Sequence, residues 1–309
     1  MCGIFGYIGK RTNAAQLVLN GLKTLEYRGY DSWGVAVVPP ASAKCKVQSA
    51  KLENRIMVKK KAGKIGNATV DDLPESSLAF GHTRWATHGG VTDINAHPHL
   101  DCSGTIAVIH NGIFENYEEV KKKLKASGHR FVSETDTEVI AHLIEGYAKK
   151  MMFTKAVQRA FNELVGLNAV IVMRGSGREL IAARNGSPLV VGFGNHENLL
   201  ASDPAALLPH TKQVYFLEDN ELAIVKDDSI LIFNARTGAR VRPRKRVLNW
   251  TVAQAEKGKY PHYMLKEINE QPGLIAEIAA NSPHQAKKLS EIIKKSFGCY
   301  LVGCGTASK

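Results

Sequence analysis

The second residue of the chain is a cysteine, and this position gives it particular chemistry. A small residue at position two permits removal of Met1, which would leave Cys2 with its own free α-amine. The α-amine pKa of about 8 is close to the thiol pKa of about 8.5, so the amine can accept the thiol proton directly or through one water. One residue then supplies both nucleophile and general base. Position alone leaves the alternative of a chance cysteine open.

The segment GHTRWATHGG, residues 81–90, concentrates groups that bind small polar substrates. The planar guanidinium of Arg84 can hold a carboxylate through two hydrogen bonds, and the closing pair of glycines suits a mobile loop. The segment also contains Trp85, Thr87 and two histidines, His82 and His88. Taken alone, these histidines are more typical of structural residues than of catalytic ones.

Five of the 11 histidines lie between positions 82 and 110, which raises the question of a metal site. The stretch has no HExxH helix and no third ligand at a recognisable spacing, and Arg84 would repel a cation. We therefore expect neither a metal nor another cofactor.

Two further motifs carry polar groups at the ends of predicted elements. In HNGIFEN, residues 110–116, the Asn111 amide and the Gly112 N–H are a suitable pair of donors for a developing oxyanion, although Asn-Gly is also a common turn. In SETDTEV, residues 133–139, Thr135 or Asp136 is expected to cap a helix. The Asp136 carboxylate is alternatively placed to hold a substrate ammonium.

The elements that position these residues follow from hydrophobic periodicity. Leu180 to Phe233 predicts successive antiparallel hairpins, and Gly29 is the predicted stop of the first helix. Predicted strands cover residues 3–9, 34–38, 78–82, 105–110 and 169–173, and predicted helices cover 14–29, 117–126, 135–149, 153–164, 263–280 and 285–295. Strand clusters separated by helix clusters indicate an α+β fold.

The C-terminal quarter differs from the rest of the chain. Residues 236–259 are basic and lack periodicity, which predicts the boundary of the first domain. After two predicted helices, GCYLVGCGTASK reads as a strand that runs into a glycine-containing turn. This turn is typical of a phosphate-cradling loop and equally of an ordinary small-residue turn, and a helix is expected to follow in either case.

Composition places the chain among ordinary globular proteins. Its 309 residues are 44% hydrophobic and 23% charged, which excludes disordered and collagen-like classes. At about 150 residues per domain, two domains fit, as does one long domain with a tail. The net charge of +12 favours anionic partners. Five cysteines without a CxxC pair argue against a disulfide-stapled secreted scaffold, and without a signal-peptide or membrane-spanning pattern we expect a cytoplasmic protein.

Eight motifs occur in one order and together resemble a known family. They are MCGI, EYRGYDS, GHTRWATHG, NAHPH, HNGI, SETDTEVIAH, GSPLV and ASDPAALLP. The set closely resembles the glutaminase domain of the glucosamine-6-phosphate synthases, the isomerising glutamine:fructose-6-phosphate aminotransferases. These enzymes are class II glutamine amidotransferases of the N-terminal-nucleophile superfamily. HYMLKEINEQP and VGCGTAS resemble the start of the sugar isomerase part of the same enzymes.

The resemblance implies a fold and a domain division. The fold is a four-layer αββα sandwich of two antiparallel sheets with helices outside. Residues 2–240 would form the glutamine amidotransferase domain, 241–260 a linker, and 261–309 the short, mostly helical beginning of a phosphosugar isomerase α/β domain. The family usually has alanine where this chain has Trp33, so packing near the first strand is expected to differ.

The resemblance also implies roles for the residues described above. Cys2 would be the nucleophile with its own α-amine as general base, and Asn111 with Gly112 would form the oxyanion hole. The α-carboxylate of glutamine would be bound by Arg84 with Thr87 and His88, and its α-ammonium by Asp136. Trp85 would belong to the loop that closes over bound glutamine. A partial sugar-phosphate loop would contain Cys304, Gly305, Thr306 and Ser308.

The implied reaction is hydrolysis of L-glutamine to glutamate and ammonia through a γ-glutamyl thioester. In the full-length enzyme, expected to be a homo-oligomer, the ammonia would convert fructose 6-phosphate to glucosamine 6-phosphate. This chain alone is expected to perform only the glutaminase half, since most of the isomerase part is not in it.

Two other interpretations remain open. The glutaminase domain could serve another acceptor, as in amidophosphoribosyltransferase, asparagine synthetase or glutamate synthase. A basic nucleic-acid-binding protein would use the charged runs 59–64 and 236–246, but these lack interleaved aromatic residues and a named binding fold. We therefore expect neither a nucleic acid nor a membrane as a partner.

Overall fold

Two antiparallel sheets form the framework of the larger part of the molecule. The computed structural model describes residues 2–40, 54–251, 258–298 and 300. Contacts divide the chain into two compact units, Met1–Glu256 and Lys257–Lys309, and both sheets belong to the first unit. In chain order the strands are β1 (Gly3–Gly9), β2 (Ser32–Val37), β3 (Met57–Ala62), β4 (Leu78–Arg84), β5 (His99–Leu100), β6 (Ile106–Gly112), β7 (Asn168–Arg174), β8 (Leu180–Asn185), β9 (Val190–Phe193), β10 (Glu197–Ala201), β11 (Gln213–Phe216), β12 (Glu221–Val225), β13 (Ile230–Asn234), β14 (Arg240–Val241) and β15 (Arg246–Val247).

The strand order places β1 in the middle of the first sheet. That sheet has eight strands in the order β15-β11-β9-β10-β1-β4-β2-β3, and the second has seven in the order β14-β13-β12-β8-β7-β6-β5. All pairings between these strands are antiparallel. The predicted α+β class with two antiparallel sheets is confirmed.

The layers follow from the alternation of side chains along the strands. In β1, Ile4 and Ile8 lie in the core between the two sheets, whereas Phe5 and Tyr7 lie in a core with the first helix. A third core packs the second sheet against three further helices. The α-helices of the described residues are α1 (Ala14–Leu25), α2 (Tyr117–Ala126), α3 (Thr137–Ala148), α4 (Phe153–Phe161), α5 (Tyr263–Asn281) and α6 (Pro283–Lys294). The first unit is therefore an αββα sandwich.

Most predicted elements of the first unit lie within two or three residues of the observed ones, but two details were wrong. From Leu180 to Phe233 the predicted antiparallel hairpins form at β9–β10 and β12–β13, but they are not successive in one sheet, since β9–β11 join the first sheet while β8, β12 and β13 join the second. An apolar run does not specify which of two sheets it pairs with.

The predicted role of Gly29 as the helix stop is also wrong. Helix α1 ends at Leu25, a 3₁₀ turn over Glu26–Arg28 follows, and Gly29 is extended rather than left-handed. A Cβ at Gly29 would lie 2.7 Å from the carbonyl carbon of Arg84 and 2.8 Å from the backbone nitrogen of Trp85. Glycine is therefore needed here for close backbone approach to the end of β4.

Helices α5 and α6 are the elements of the second unit among its described residues. Pro272 lies inside α5, and neither helix buries a residue. The predicted C-terminal strand and turn lie almost entirely outside the described residues, as do Cys304, Gly305, Thr306 and Ser308. Among the described segments, no helix combines the length and apolar character that a bilayer crossing requires.

Trp33 occupies β2 without disturbing the sheet. Its side chain is 2% exposed and lies in the core with α1, and β2 keeps unbroken register with both β3 and β4. Trp33 is directly opposite Thr83, whose Oγ1 accepts a hydrogen bond from the Gly3 N–H at 3.1 Å. The indole therefore lies on the same face of the sheet as the Thr83 side chain, which accepts the hydrogen bond from the beginning of β1.

Truncating this ring is expected to be costly. Trp33→Ala should lower the free energy of unfolding by about 3–5 kcal/mol, because it removes a buried indole and leaves a cavity. Trp250→Ala is the matched control, since Trp250 is 45% exposed and its loss should change stability little. Urea denaturation of both variants measures the difference. Equal stability losses would contradict the core role of Trp33.

Candidate active site

Cys2 lies where the ends of the two sheets meet. It precedes β1, which pairs with β4 so that Gly3 is opposite Thr83. Beyond the end of β4, the backbone N–H of Trp85 donates to Cys2 Sγ at 3.2 Å. From the second sheet, Asn111 Nδ2 donates to the Cys2 carbonyl oxygen at 3.0 Å. The cysteine therefore contacts groups from β4 and β6 at once.

The surroundings of Cys2 affect its ionisation in opposite directions. Burial raises the pKa of the thiol above its ordinary value, and the negative charge of Asp136 adds to this. The Trp85 backbone hydrogen bond and the charge of Arg84 lower it, but the net direction is upward. The thiol at rest is therefore protonated near neutral pH, and a reaction as nucleophile requires a base.

The side-chain amide of Asn111 is held in one orientation. His82 Nε2 lies 3.0 Å from Asn111 Oδ1 and 3.0 Å from the carbonyl oxygen of His110. Both partners are acceptors, so Nε2 carries the proton. This donor fixes Asn111 with its oxygen toward His82 and its NH₂ group toward Cys2.

His82 is itself packed in a group of buried, neutral imidazoles. The rings of His82 and His97 stack at 4.1 Å, and His99 meets His97 edge-on at 4.8 Å. Burial lowers the pKa of His82 to about 3 and lowers the pKa values of His97 and His99 well below the ordinary value. These three side chains remain uncharged at neutral pH.

Gly112, next to Asn111 in the chain, ends β6 and is exposed. Its φ of +133° lies in the region that favours glycine, and a Cβ there would lie 2.1 Å from the Leu167 carbonyl oxygen. A side chain at this position is therefore excluded by both conformation and space.

Arg84 holds the loop that follows β4. Its side chain is buried, and its guanidinium donates to the carbonyl oxygens of His88, of Gly89 at 3.2 Å and of Gly90 at 3.1 Å. Asn95 Nδ2 donates to the same Gly90 oxygen at 3.1 Å. No ion pair among the described residues includes Arg84.

The remaining residues of this loop differ in exposure. Trp85 is 47% exposed, and its ring lies edge-on to Tyr30 at 5.8 Å. Thr87 is exposed, whereas His88 is half-buried and packs edge-on against Tyr117 at 5.4 Å. The structure thus places all three in the loop held by Arg84.

Asp136 immediately precedes α3, at the N-cap position, but its carboxylate does not cap the helix. Its side chain is buried, and Oδ2 accepts a hydrogen bond from the Phe114 backbone N–H at 2.8 Å. The hydroxyl of Thr135 accepts from the Glu138 N–H at 3.4 Å instead. Of the two predicted caps, Thr135 is therefore the one whose side chain acts. Asp136 links α3 to the segment that follows β6.

Comparison with known proteins gives this arrangement a context. Residues 82–209 match the family model for the glutamine amidotransferase domain. This part of the chain is therefore similar to glutamine amidotransferase domains. Curated relatives named glutamine–fructose-6-phosphate aminotransferase [isomerizing] include those of Thermus thermophilus, 44% identical over 100% of this chain, and Pyrococcus horikoshii, 43% identical over 99%. This chain covers 50% of each, so it spans about half the length of these relatives.

Solved structures of other proteins are similar to this chain in fold. Glutamine phosphoribosylpyrophosphate amidotransferase from B. subtilis, complexed with ADP and GMP, has a TM-score of 0.63 at 24% identity. The match covers 77% of this chain and 50% of that one. A structure described as the allosteric regulatory enzyme of purine biosynthesis has a TM-score of 0.63 at 23% identity and covers 83% of this chain and 58% of that one.

Several supporting residues of the domain were not predicted from the sequence. His110 Nε2 lies 2.8 Å from Asn168 Oδ1, and Thr137 Oγ1 lies 3.0 Å from His110 Nδ1. These contacts, like that of His82 with Asn111, join residues between 27 and 58 positions apart. The sequence signal that could have identified such supporting residues is a histidine inside or at the end of an otherwise apolar strand.

The neutral histidines predict acid sensitivity. Below pH ~6.5 the unfolded chain binds protons that folded His82 excludes down to pH about 3, so the stability contributed by this residue is lost as pH falls. His82→Gln should reduce the slope of unfolding free energy against pH by about 1.4 kcal/mol per pH unit between pH ~6 and ~4.

Urea denaturation at a series of pH values measures this slope. The exposed His196 offers the matched control, because His196→Gln removes an imidazole from the surface and should leave the slope unchanged. A wild-type slope in the His82→Gln variant would show that this buried ring takes up protons in the folded state.

Proposed function

We propose that the chain hydrolyses L-glutamine to glutamate and ammonia through a covalent thioester on Cys2. The observation that carries this proposal is the Asn111 amide, which His82 holds with its NH₂ group 3.0 Å from the Cys2 carbonyl oxygen. A preoriented donor beside a cysteine nucleophile is what an acyl-transfer site needs for the oxyanion of its tetrahedral intermediate.

In the proposed mechanism, removal of Met1 frees the α-amine of Cys2, which accepts the thiol proton. Because burial raises the pKa of the thiol, such a base is required near neutral pH. The sulfur attacks the side-chain amide carbon of glutamine, and the amide oxygen becomes an oxyanion that Asn111 Nδ2 and the Gly112 N–H stabilise. The protonated amine then gives its proton to the departing nitrogen, and ammonia leaves.

The second half of the reaction reverses these roles. The γ-glutamyl group is now bound to Cys2 Sγ as a thioester, and the α-amine accepts a proton from an attacking water. The oxyanion forms again at the same donors. Collapse breaks the carbon–sulfur bond, returns the proton to the sulfur and releases glutamate.

Charged groups near Cys2 match the two ends of glutamine. Contacts among the described residues use three of the five N–H groups of Arg84, which leaves donors for the α-carboxylate, assisted by Thr87 and His88. We assign the α-ammonium to Asp136, which has no ion-pair partner among the described residues. Trp85 belongs to the loop that we expect to close over the substrate.

The acceptor of the ammonia is proposed from the curated relatives. They carry the name glutamine–fructose-6-phosphate aminotransferase and are about twice as long as this chain. In a protein of that length, we propose that ammonia reaches fructose 6-phosphate and yields glucosamine 6-phosphate. Residues 2–240 would be the amidotransferase domain, 241–260 the linker and 261–309 the start of the isomerase domain, in a homo-oligomeric enzyme.

Cys2 is the proposed nucleophile, so Cys2→Ala should abolish release of glutamate from glutamine while leaving the melting temperature near that of the wild type. A protein that retains Met1, or that carries an N-terminal tag, should be nearly as inactive because its base is blocked. Intact mass establishes the N-terminus of each preparation, and a glutamate assay measures the activity. Undiminished hydrolysis with Met1 retained would exclude the α-amine as base.

Arg84 and Asp136 are expected to bind substrate in addition to the contacts that they make within the protein. Arg84→Lys keeps the charge but loses the planar fork, and Asp136→Asn loses the charge that faces the ammonium. Each should lower kcat/KM about 10- to 1000-fold, as expected from about 1.4–4 kcal/mol of lost charged hydrogen bonding.

Asn95→Ala is the control for the loop, because Asn95 holds the Gly90 carbonyl without a proposed substrate contact. Steady-state kinetics and melting temperatures of the three variants separate the two effects. If Arg84→Lys reduced kcat/KM no more than Asn95→Ala does, its role would be to hold the loop. Normal kinetics in Asp136→Asn would remove that residue from the site.

A further inference from the structure

Four metal-ligating side chains converge at the side of α3 that carries His142 and Glu145. The other two are Cys102, in the turn after β5, and His129, in the segment after α2. One ligand atom from each residue lies within 4.8 Å of all the others. These residues have no part in the proposed glutaminase mechanism.

Five of the six distances between the ligand atoms lie between 3.0 and 3.9 Å, and the sixth, between Cys102 and Glu145, is at most 4.8 Å. The two histidine Nδ1 atoms are 3.4 Å apart, and Cys102 Sγ lies 3.5 Å from His142 Nδ1 and 3.9 Å from His129 Nδ1. Glu145 Oε2 lies 3.0 Å from His129 Nδ1 and 3.4 Å from His142 Nδ1. The four atoms therefore mark the corners of a small tetrahedron.

A tetrahedral zinc ion has this geometry. Bonds of about 2.0–2.3 Å to sulfur, nitrogen and oxygen place the ligand atoms about 3.3–3.8 Å from one another. A thiolate and two imidazoles are ligands that favour zinc among the common divalent ions. We propose that Cys102, His129, His142 and Glu145 bind one Zn²⁺ ion, and we call these residues the α3 cluster.

The far side of His142 supports a metal ligand rather than a simple hydrogen bond. Its Nε2 is buried and has no hydrogen-bond partner among the described residues, and Oε1 of Glu138, one turn earlier in α3, lies 3.5 Å away. A carboxylate at that position calls for a proton on Nε2, which leaves a lone pair on Nδ1 directed into the cluster. A carboxylate behind a metal-bound imidazole is the usual second partner at zinc sites.

The charge of the α3 cluster and its access to solvent also suit the binding of a Zn²⁺ ion. A thiolate and a carboxylate together neutralise Zn²⁺, and Lys149 pairs with the other oxygen of Glu145 at 3.4 Å. His142 is 1% exposed and His129 9% exposed, whereas Cys102 is exposed, so an ion has a route from the surface. Four protein ligands leave no open position, which makes the ion structural rather than catalytic.

Such an ion would connect three segments that are separate along the chain. It would join the turn after β5, the segment that leads from α2 to Asp136, and α3 itself. Sequence spacing did not reveal the cluster, because its members are separated by 27, 13 and 3 positions, which matches no common zinc motif.

Metal analysis of the untagged chain, purified without chelator and dialysed, tests the proposal. We expect about one zinc per chain in the wild type and in His196→Asn, which removes an imidazole outside the cluster. Cys102→Ser and His129→Asn should hold less than about one tenth of this amount. A wild type without bound zinc after dialysis against a micromolar zinc buffer, or equal zinc content in all four proteins, would overturn the proposal.

A second measurement does not depend on whether the variants fold. The wild type, stripped with chelator, should bind one Co²⁺ with the intense visible absorption of a tetrahedral ion and a thiolate-to-cobalt charge-transfer band. One equivalent of Zn²⁺ should displace the cobalt and raise the melting temperature of the stripped protein. The weak spectrum of octahedral cobalt, or a melting temperature unaffected by zinc, would overturn the site. Neither result depends on glutaminase activity.

Discussion

The arrangement around Cys2 depends on one chain of hydrogen bonds that joins the two sheets. His82 in the first sheet donates to Asn111 in the second, and Asn111 donates back to the Cys2 backbone at 3.0 Å. Burial keeps the imidazole neutral, so it remains a single-proton donor with a defined direction. An exposed asparagine amide can rotate, whereas this one is oriented when the protein folds. The orientation is therefore established before any substrate binds.

Close backbone approach makes this junction possible. A Cβ at Gly3 would lie 2.5 Å from Thr83 Oγ1, and one at Gly34 would lie 2.2 Å from the His97 carbonyl oxygen. Gly34 therefore lets the segment that carries His97 pack against β2, and His97 in turn stacks on His82. Glycine is selected at these positions by space, and the histidine cluster is a consequence of the same packing.

Helix α3 connects the candidate active site with the α3 cluster. Asp136, which precedes its first residue, contacts the Phe114 backbone, and His142 and Glu145 follow six and nine residues later. Because a helix rises about 1.5 Å per residue and is stiff over this length, the positions of the two groups are mechanically related. Whatever holds the middle of α3 in place also determines where the Asp136 carboxylate lies relative to the end of β6.

The sequence by itself determined the local elements and the candidate residues. A short apolar run punctuated by glycines predicted β1, and a helical pattern predicted α2, each within a residue, because such local patterns reflect how an element is buried. The ordered motifs also indicated Cys2, Asn111 and Asp136. Only the tertiary structure decided that Thr135 caps α3 while Asp136 does not, that Trp33 fits the core, that His82 orients Asn111, and that Cys102 meets His129. These outcomes depend on contacts between separate segments, which neighbouring residues along the chain do not encode.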